Sequence, residues 1–473
     1  MATGIAIVSP GLELGQKDMA VPYPKKFPPE LLQAAIAAHR FGYGARPGEL
    51  DGIAADPQGW LITQIDQPET PPPILAVLPG STSIIPDLLD AIQAGPDALH
   101  AFRRRLAGMN RREALAHTGT TIASTTPFRE RLIRFWSNHF AVSDRDPTSF
   151  ALSHAFEREV VRPRITGTFI QMLTAVVRHP AVLIQTNNRL STGPISVAGL
   201  KGAPNLIDTL ARVVLQNYAL GPDADVKTRD IVELAKMLTG WSVAGSDENA
   251  PGTFKFRPLW HEQKKKFFFQ RYYPEAGVLE AEAALDTIGR REDTARYLAM
   301  SMARYFVTDS PPDDLISDML NGFTDRGNSL LGMAEGMVRS PAAWLPQQAK
   351  VKTPTDFVFS TARLFGWGPG AAPLALAGLS ALGQSPKRFP VLTGWPSDGR
   401  AWLSPQHLLE RLQWGAAAAR EAAPVFQGAD MADLGLATLG PLLSPVTHRR
   451  LSVTSNPADA LALLLASPEF QRR

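Results

Sequence analysis

Nine histidines, 45 carboxylates and 35 arginines, with no cysteine, bound the chemistry available to this chain. Without a thiol there is no thiol nucleophile, thiolate zinc site or disulfide framework, so acid–base work falls to histidine and carboxylate. The strongest candidate lies in RLIRFWSNHFAVS, residues 131–143. On a helix Leu132, Phe135, Trp136, His139 and Phe140 share one face, so His139 points into the body. A buried imidazole suits acid–base or metal chemistry. The plainer reading, a ring bonded to a nearby helix end, is favoured, because a lone histidine specifies little.

The next helical segment carries His154, Glu157 and Glu159. His154 and Glu157 are neighbours on a helix surface, and paired His/Glu motifs hold metals in helical bundles. Such a site needs a second motif from another helix; none is found, so neither a metal nor a cofactor is expected. Glu157 and Glu159 can equally pair with Arg158, Arg162 or Arg164. His179-Pro180 and the run QTNNRLSTGPIS, 185–196, form a third candidate. Asn187, Asn188, Ser191 and Ser196 offer donors and acceptors, and Gly193 lets a ligand approach the backbone. A loop satisfying its own backbone explains the same residues slightly better. Trp260-His261-Glu262 precedes Lys264-Lys265-Lys266 and Phe267-Phe268-Phe269. Interleaved lysines and aromatics can bind nucleic acid, but one patch on a chain of net charge +3 is a poor footprint. A hairpin with aromatics on the body and lysines at its edge is preferred.

No nucleotide-binding glycine loop, nucleophile elbow, HExxH or EF-hand loop is present in the 473 residues. Apolar residues make up 44% and charged ones 20%, the balance of a large soluble protein rather than a disordered one. Arginine outnumbers lysine 35 to 13, which favours fixed contacts to carboxylates and phosphates. The denser runs, Arg103–Arg105, Arg111-Arg112 and Lys264–Lys266, read as solvated faces. No segment reaches membrane-spanning length, and the N-terminus shows no signal peptide. The default expectation is therefore the cytoplasm.

The elements that must position these groups are helical. Residues 1–27 read as an arm, 28–241 as an N-terminal helical lobe, 242–275 as a β-hairpin insertion and 276–473 as a C-terminal helical lobe. Thr70–Pro86 reads as a proline-rich connection, followed by a long helix from Pro96 to about His117. In 228–241, Thr228 serves as a cap, Asp230 sits in the first turn, Ile231, Leu234, Ala235 and Leu238 form a stripe, and Gly240 stops the helix. Strands are expected at Ser242–Ala244, Thr253–Phe256 and Lys266–Phe269. Thr353-Pro354 with Asp356, and Asn456-Pro457 with Asp459, mark further helix starts. The class is all-α with a small β element near 242–270.

The order of HRFGYGARPGEL (39–50), RFWSNHFAVS (134–143), FEREVVRP (156–163), RHPAVL (178–183), STGPISVAGL (191–200) and KMLTGW (236–241) resembles the bacterial family described as domain of unknown function 1800. FRPLWHE (256–262), TARYLAMSMARYFVTDSPP (294–312), KVKTPTDFVFSTARLFGWG (350–368) and LLASPEFQRR (464–473) extend the resemblance over Pro29 to Arg473, as one family domain. It implies no established activity. It does imply export in many members and a neighbouring gene for a protein similar to alkaline phosphatases and sulfatases, an association rather than a reaction. Departures matter. Ala211, Arg212, Leu220 and Gly221 match the family run, but Val213 and Gln216 stand where carboxylates are usual and Tyr218 where histidine is. Asn187 replaces an aspartate, and Ser301 and Tyr305 fall where lysine and histidine are common.

These exchanges lead to a non-catalytic or weakly catalytic helical partner protein of a cell-envelope system, binding the phosphatase/sulfatase-like neighbour. Location at the periplasm or envelope then requires travel as a passenger of an exported partner. The enzyme alternative, a hydrolase or transferase on a polar envelope substrate, uses His139 and His261 with Asp230 as catalytic groups. Asn188, Arg212, Ser191 and Ser196 would bind its substrate. That alternative requires His139 and His261 to share one cleft. Polyanion binding through 260–269 is the remaining alternative.

Overall fold

The computed structural model describes residues 22–24, 26–67, 70–142, 147–203 and 205–473, with the side chains of 147–151 excepted. Most of the expected arm therefore lies outside the described residues. Where it is described, the Tyr23 hydroxyl donates to Leu443 O at 2.8 Å and its ring meets Phe27 and His448 edge-on, so this end is tied to the body.

Helices dominate, and many of the 40 prolines start them. Ser404, Ser444, Asn456 and Ser467 each precede a proline, and each accepts a backbone N–H two or three residues on. Proline costs nothing there because its missing N–H has no partner in the first turn. Thr353 adds a full capping box with Asp356. The helix Thr228–Met237 buries Ile231, Leu234 and Ala235 as the spacing requires, but Thr228 is its first residue rather than a side-chain cap. Thr70–Pro86 is not a plain connection: helices span Pro73–Ala76 and Ser81–Ala94, with Pro86 inside the second. Pro86 cannot donate to Thr82 O, yet Thr82 is an exposed residue and the helix continues to Ala94. The stretch Pro73–Ala94 is long and apolar enough to cross a membrane by composition. It nevertheless carries Asp87 and Asp90 and breaks between its two helices.

The β element is two small antiparallel ladders. Strands β1 (Trp241–Val243) and β2 (Phe254–Phe256) pair with Trp241 opposite Phe256. Strands β3 (Lys266–Phe268) and β4 (Arg271–Tyr273) pair with Lys266 opposite Tyr273. The sequence reading placed three of these strands and missed β4. Gly240 adopts φ 76°, and an added Cβ would meet Arg257 O at 2.6 Å, so the turn into β1 admits only glycine without a shift.

Two hydrophobic cores fill the body. One gathers buried residues between Ala34 and Ala343, including Trp136, Phe140, Trp241 and Phe268. The other is built from Phe357 to Phe470 together with Tyr43 and Ile122. A buried ionic group joins them. Arg131 donates to Arg40 O and Gly42 O, Arg473 donates to Phe306 O and Tyr305 O, and both guanidinium groups face Asp356 at 3.4 and 3.0 Å.

The helices Asp313–Asp325 and Leu330–Arg339 approach through glycine. A Cβ on Gly332 would stand 2.0 Å from Gly322 O, and one on Gly336 would stand 2.5 Å from Asp318 O. Backbone cannot yield as a side-chain tip does. Gly332→Ala is therefore expected to lower stability by about 1–3 kcal/mol, read as a lower urea midpoint at unchanged slope.

Candidate functional site

His139 ends the helix Pro127–His139, and all five residues of its apolar face are buried. Trp136 and Phe140 stack at 5.8 Å, and the imidazole meets each of them edge-on. Its Nε2 lies 2.9 Å from Tyr218 O. A carbonyl can only accept, so Nε2 carries the proton and Nδ1 keeps its lone pair. Tyr218 belongs to a π-helical turn, Val213–Ala219, as the favoured reading of a ring bonded near a helix end describes. Burial lowers the imidazole pKa to about 4, so the ring is neutral at pH 7.

His139 borders a cavity of about 340 Å³ together with Asp223, Tyr297, Ser301, Arg304, Tyr305 and Trp395. Three of the exchanged positions gather at this ring: Ser301 and Tyr305 line the cavity, and the Tyr218 ring lies 6.5 Å away. The other three do not line it. Val213 is buried in the π-helical turn, Gln216 is half-buried, and Asn187 is exposed in the left-handed region with φ 57°.

The remaining candidates lie elsewhere. Asn188 Nδ2 donates to Leu238 O and Trp241 O, both at 3.1 Å. Ser191 Oγ accepts from Ile207 N, and Ser196 Oγ donates to Gly193 O while accepting from Gly199 N. What approaches the Gly193 backbone is Glu262, whose Cα a Cβ there would meet at 2.5 Å. Gly193 N donates to Trp260 O and Ile195 N to Glu262 Oε2, which ties the loop to the region around His261. His261 Nδ1 is 3.0 Å from Thr239 O and Nε2 is 3.3 Å from Glu280 Oε1. Glu280 is buried; burial alone would raise its pKa, but the adjacent His261 and Lys266 hold it below the ordinary value. Lys266 also donates to Glu262 O, which leaves Lys264 and Lys265 as the exposed lysines of that run. Asp230 accepts from Phe269 N, and Arg212 pairs with Asp208 on an exposed surface. The cavity lined by His139 is not lined by His261.

A third group extends the His154/Glu157 candidate with residues the sequence does not single out, Glu113 and His117. The long helix, Pro96–Ala123, extends beyond the expected end and buries Glu113 and His117, four apart on one face. They meet His154, whose ring centroid is 4.9 Å from that of His117. His117 Nδ1 is 3.0 Å from Glu157 Oε1, which also takes Arg162 Nε at 3.1 Å. Glu157 Oε2 accepts from Ser137 and Lys387. Although burial opposes it, Lys387, His117 and Arg162 hold the Glu157 carboxyl well below its usual range. Burial pushes His154 well below its usual pKa, so it is neutral. Arg162 clasps Glu130 through two bonds of 2.9 Å, and Arg158 pairs with Glu113. Glu159 turns away to His179 Nε2 at 2.9 Å and to Ser81, while His179 Nδ1 caps the helix Pro180–Gln185. The structure holds no second i, i+3 copy among these residues, but it sets the i, i+4 pair Glu113-x-x-x-His117 against His154. Its i, i+4 spacing is the signal that could have found it.

A helical body with two paired-strand ladders and histidine–carboxylate groups buried between helices is the class defined so far. The family model "Protein of unknown function (DUF1800)" matches residues 36–472, nearly the whole chain, and the protein belongs to that family. No curated protein and no solved structure matches it.

Proposed function

We propose that the chain works by binding, as a non-catalytic or weakly catalytic helical partner in a cell-envelope system, and that the cavity beside His139 receives part of its partner. One observation carries this reading: the imidazole in that cavity is neutral and fixed in one tautomer by Tyr218 O. A base of pKa about 4 takes up almost no proton at pH 7. Around it, Ser301 and Tyr305 supply neutral polar groups, while Trp395 and Tyr297 supply aromatic surface with Arg304 and Asp223 at its edge. That mixture of aromatic anchors and an arginine suits recognition.

The partner of choice is the phosphatase/sulfatase-like protein suggested by the family resemblance. Calorimetric titration of that protein, from the same genome, into the purified chain is expected to give saturable binding. Arg304→Glu should weaken it about tenfold or more. No heat and no co-elution with the wild-type chain would overturn the proposal. Fractionation finding the chain only in the cytoplasm would remove its envelope part.

A further inference from the structure

We propose that Glu113, His117 and His154 bind one divalent transition-metal ion of the zinc type. One ligand atom from each lies within 4.8 Å of the others, and all three side chains are buried, at 4%, 6% and 2% exposure. Helix geometry supplies the arrangement: Glu113 and His117 share a face of one helix, and His154 comes from the helix Pro147–Phe156 packed against it.

The hydrogen bonds prepare this group for a cation. Glu157 can only accept from His117 Nδ1, so that nitrogen carries a proton and Nε2 is the ring atom left to face a metal. Nε2 lies 3.6 Å from Glu113 Oε2, so the two atoms are close enough to share one cation. A carboxylate that orients a histidine from behind is the common outer support of metal-ligating imidazoles. Nδ1 of His154 has no hydrogen-bond partner although the ring is buried. A buried polar atom without a partner is costly, and coordination relieves that cost. Two nitrogens and one carboxylate oxygen are a borderline-soft donor set, suited to Zn²⁺ and to Co²⁺ as a spectroscopic substitute.

Arg158 is the competitor. Its guanidinium pairs with Glu113 and stands 3.5 Å from His117 Nε2, so it holds the positive charge that a metal would bring. It also donates to Pro79 O at 2.6 Å and is partly exposed, which gives it a position to retain when displaced from Glu113. The metal and the arginine therefore compete for one carboxylate.

This competition separates a metal site from a purely structural ion cluster. The full chain, stripped with chelator and dialysed, is titrated with ZnCl₂ by calorimetry and with CoCl₂ by visible absorption. One equivalent is expected, with the absorption bands of nitrogen-ligated Co²⁺. The double variant His117→Gln/His154→Gln should bind at least tenfold more weakly, and Arg158→Gln should bind more tightly than the wild type. Arg158→Gln leaves the three ligands in place, so it remains informative if the double variant does not fold. Absence of stoichiometric binding by both the wild type and Arg158→Gln overturns the proposal. Binding unchanged in a folded double variant overturns it as well. These measurements need no partner protein, so their failure is distinct from failure of the binding role.

Discussion

Asp356→Ala is expected to destabilise the chain by about 3–5 kcal/mol at pH 7, because it leaves two buried guanidinium groups facing no charge. Arg131 and Arg473 are 0% and 1% exposed at their side chains, and Asp356 faces both. The same carboxylate accepts from Thr353 N in the capping box of the helix Pro354–Leu364, which adds about 1 kcal/mol. Burial would raise its pKa, but Arg131 and Arg473 lower it from 3.8 to about 2. Its folded-state pKa is therefore the depressed one, and its contribution is complete above pH 3.8. As the pH falls toward 2, that contribution of about 2 kcal/mol is lost. Urea midpoints for wild type and variant should differ most at pH 7 and converge in part near pH 2. Equal midpoints at pH 7 would show that the carboxylate does not hold the two cores together.

How much of this could be read from the sequence depended on distance along the chain. The burial of His139 followed from one helix's periodicity, because Leu132, Phe135, Trp136 and Phe140 needed no partner to define a face. The capping starts at Thr353 and Asn456 were equally local. The polar loop at 185–196 was ambiguous because Asn and Ser offer the same atoms to a ligand or to backbone. Only the approach of Glu262 to Gly193 shows which groups are met. Glu113 and His117 sat in an arginine-rich stretch whose neighbours Arg111 and Arg112 are exposed, and one charged face hid the other. The group around Asp356 was illegible for a different reason: Arg131, Asp356 and Arg473 come from distant segments, and nothing local couples them. Charges so placed serve the joining of two cores, and the group at His117 likewise draws in Lys387 from far along the chain.

Lys352 belongs to the same interior and makes the opposite prediction: Lys352→Met should raise stability, by about 3 kcal/mol below pH 7. Its side chain is fully buried, Nζ has no hydrogen-bond partner, and the ammonium lies 4.1 Å from the centre of the Phe470 ring. Burial, aided by Arg473, Arg131 and Arg411 and opposed by Asp356, lowers its pKa from 10.5 to about 7. Between those pH values the unfolded chain holds a proton that the folded chain has released, so this group makes stability rise with pH. Below pH 7 both states are charged, and the folded one bears the whole desolvation cost. Methionine has similar length and no charge, keeps the contact with Phe470, and leaves Arg131 and Arg473 to neutralise Asp356. The advantage of Lys352→Met should therefore be greatest at pH 6 and shrink steadily toward pH 10. Denaturation midpoints measured at pH 6, 8 and 10 check this, and a variant less stable than wild type at pH 6 would mean that the ammonium is paired inside the fold.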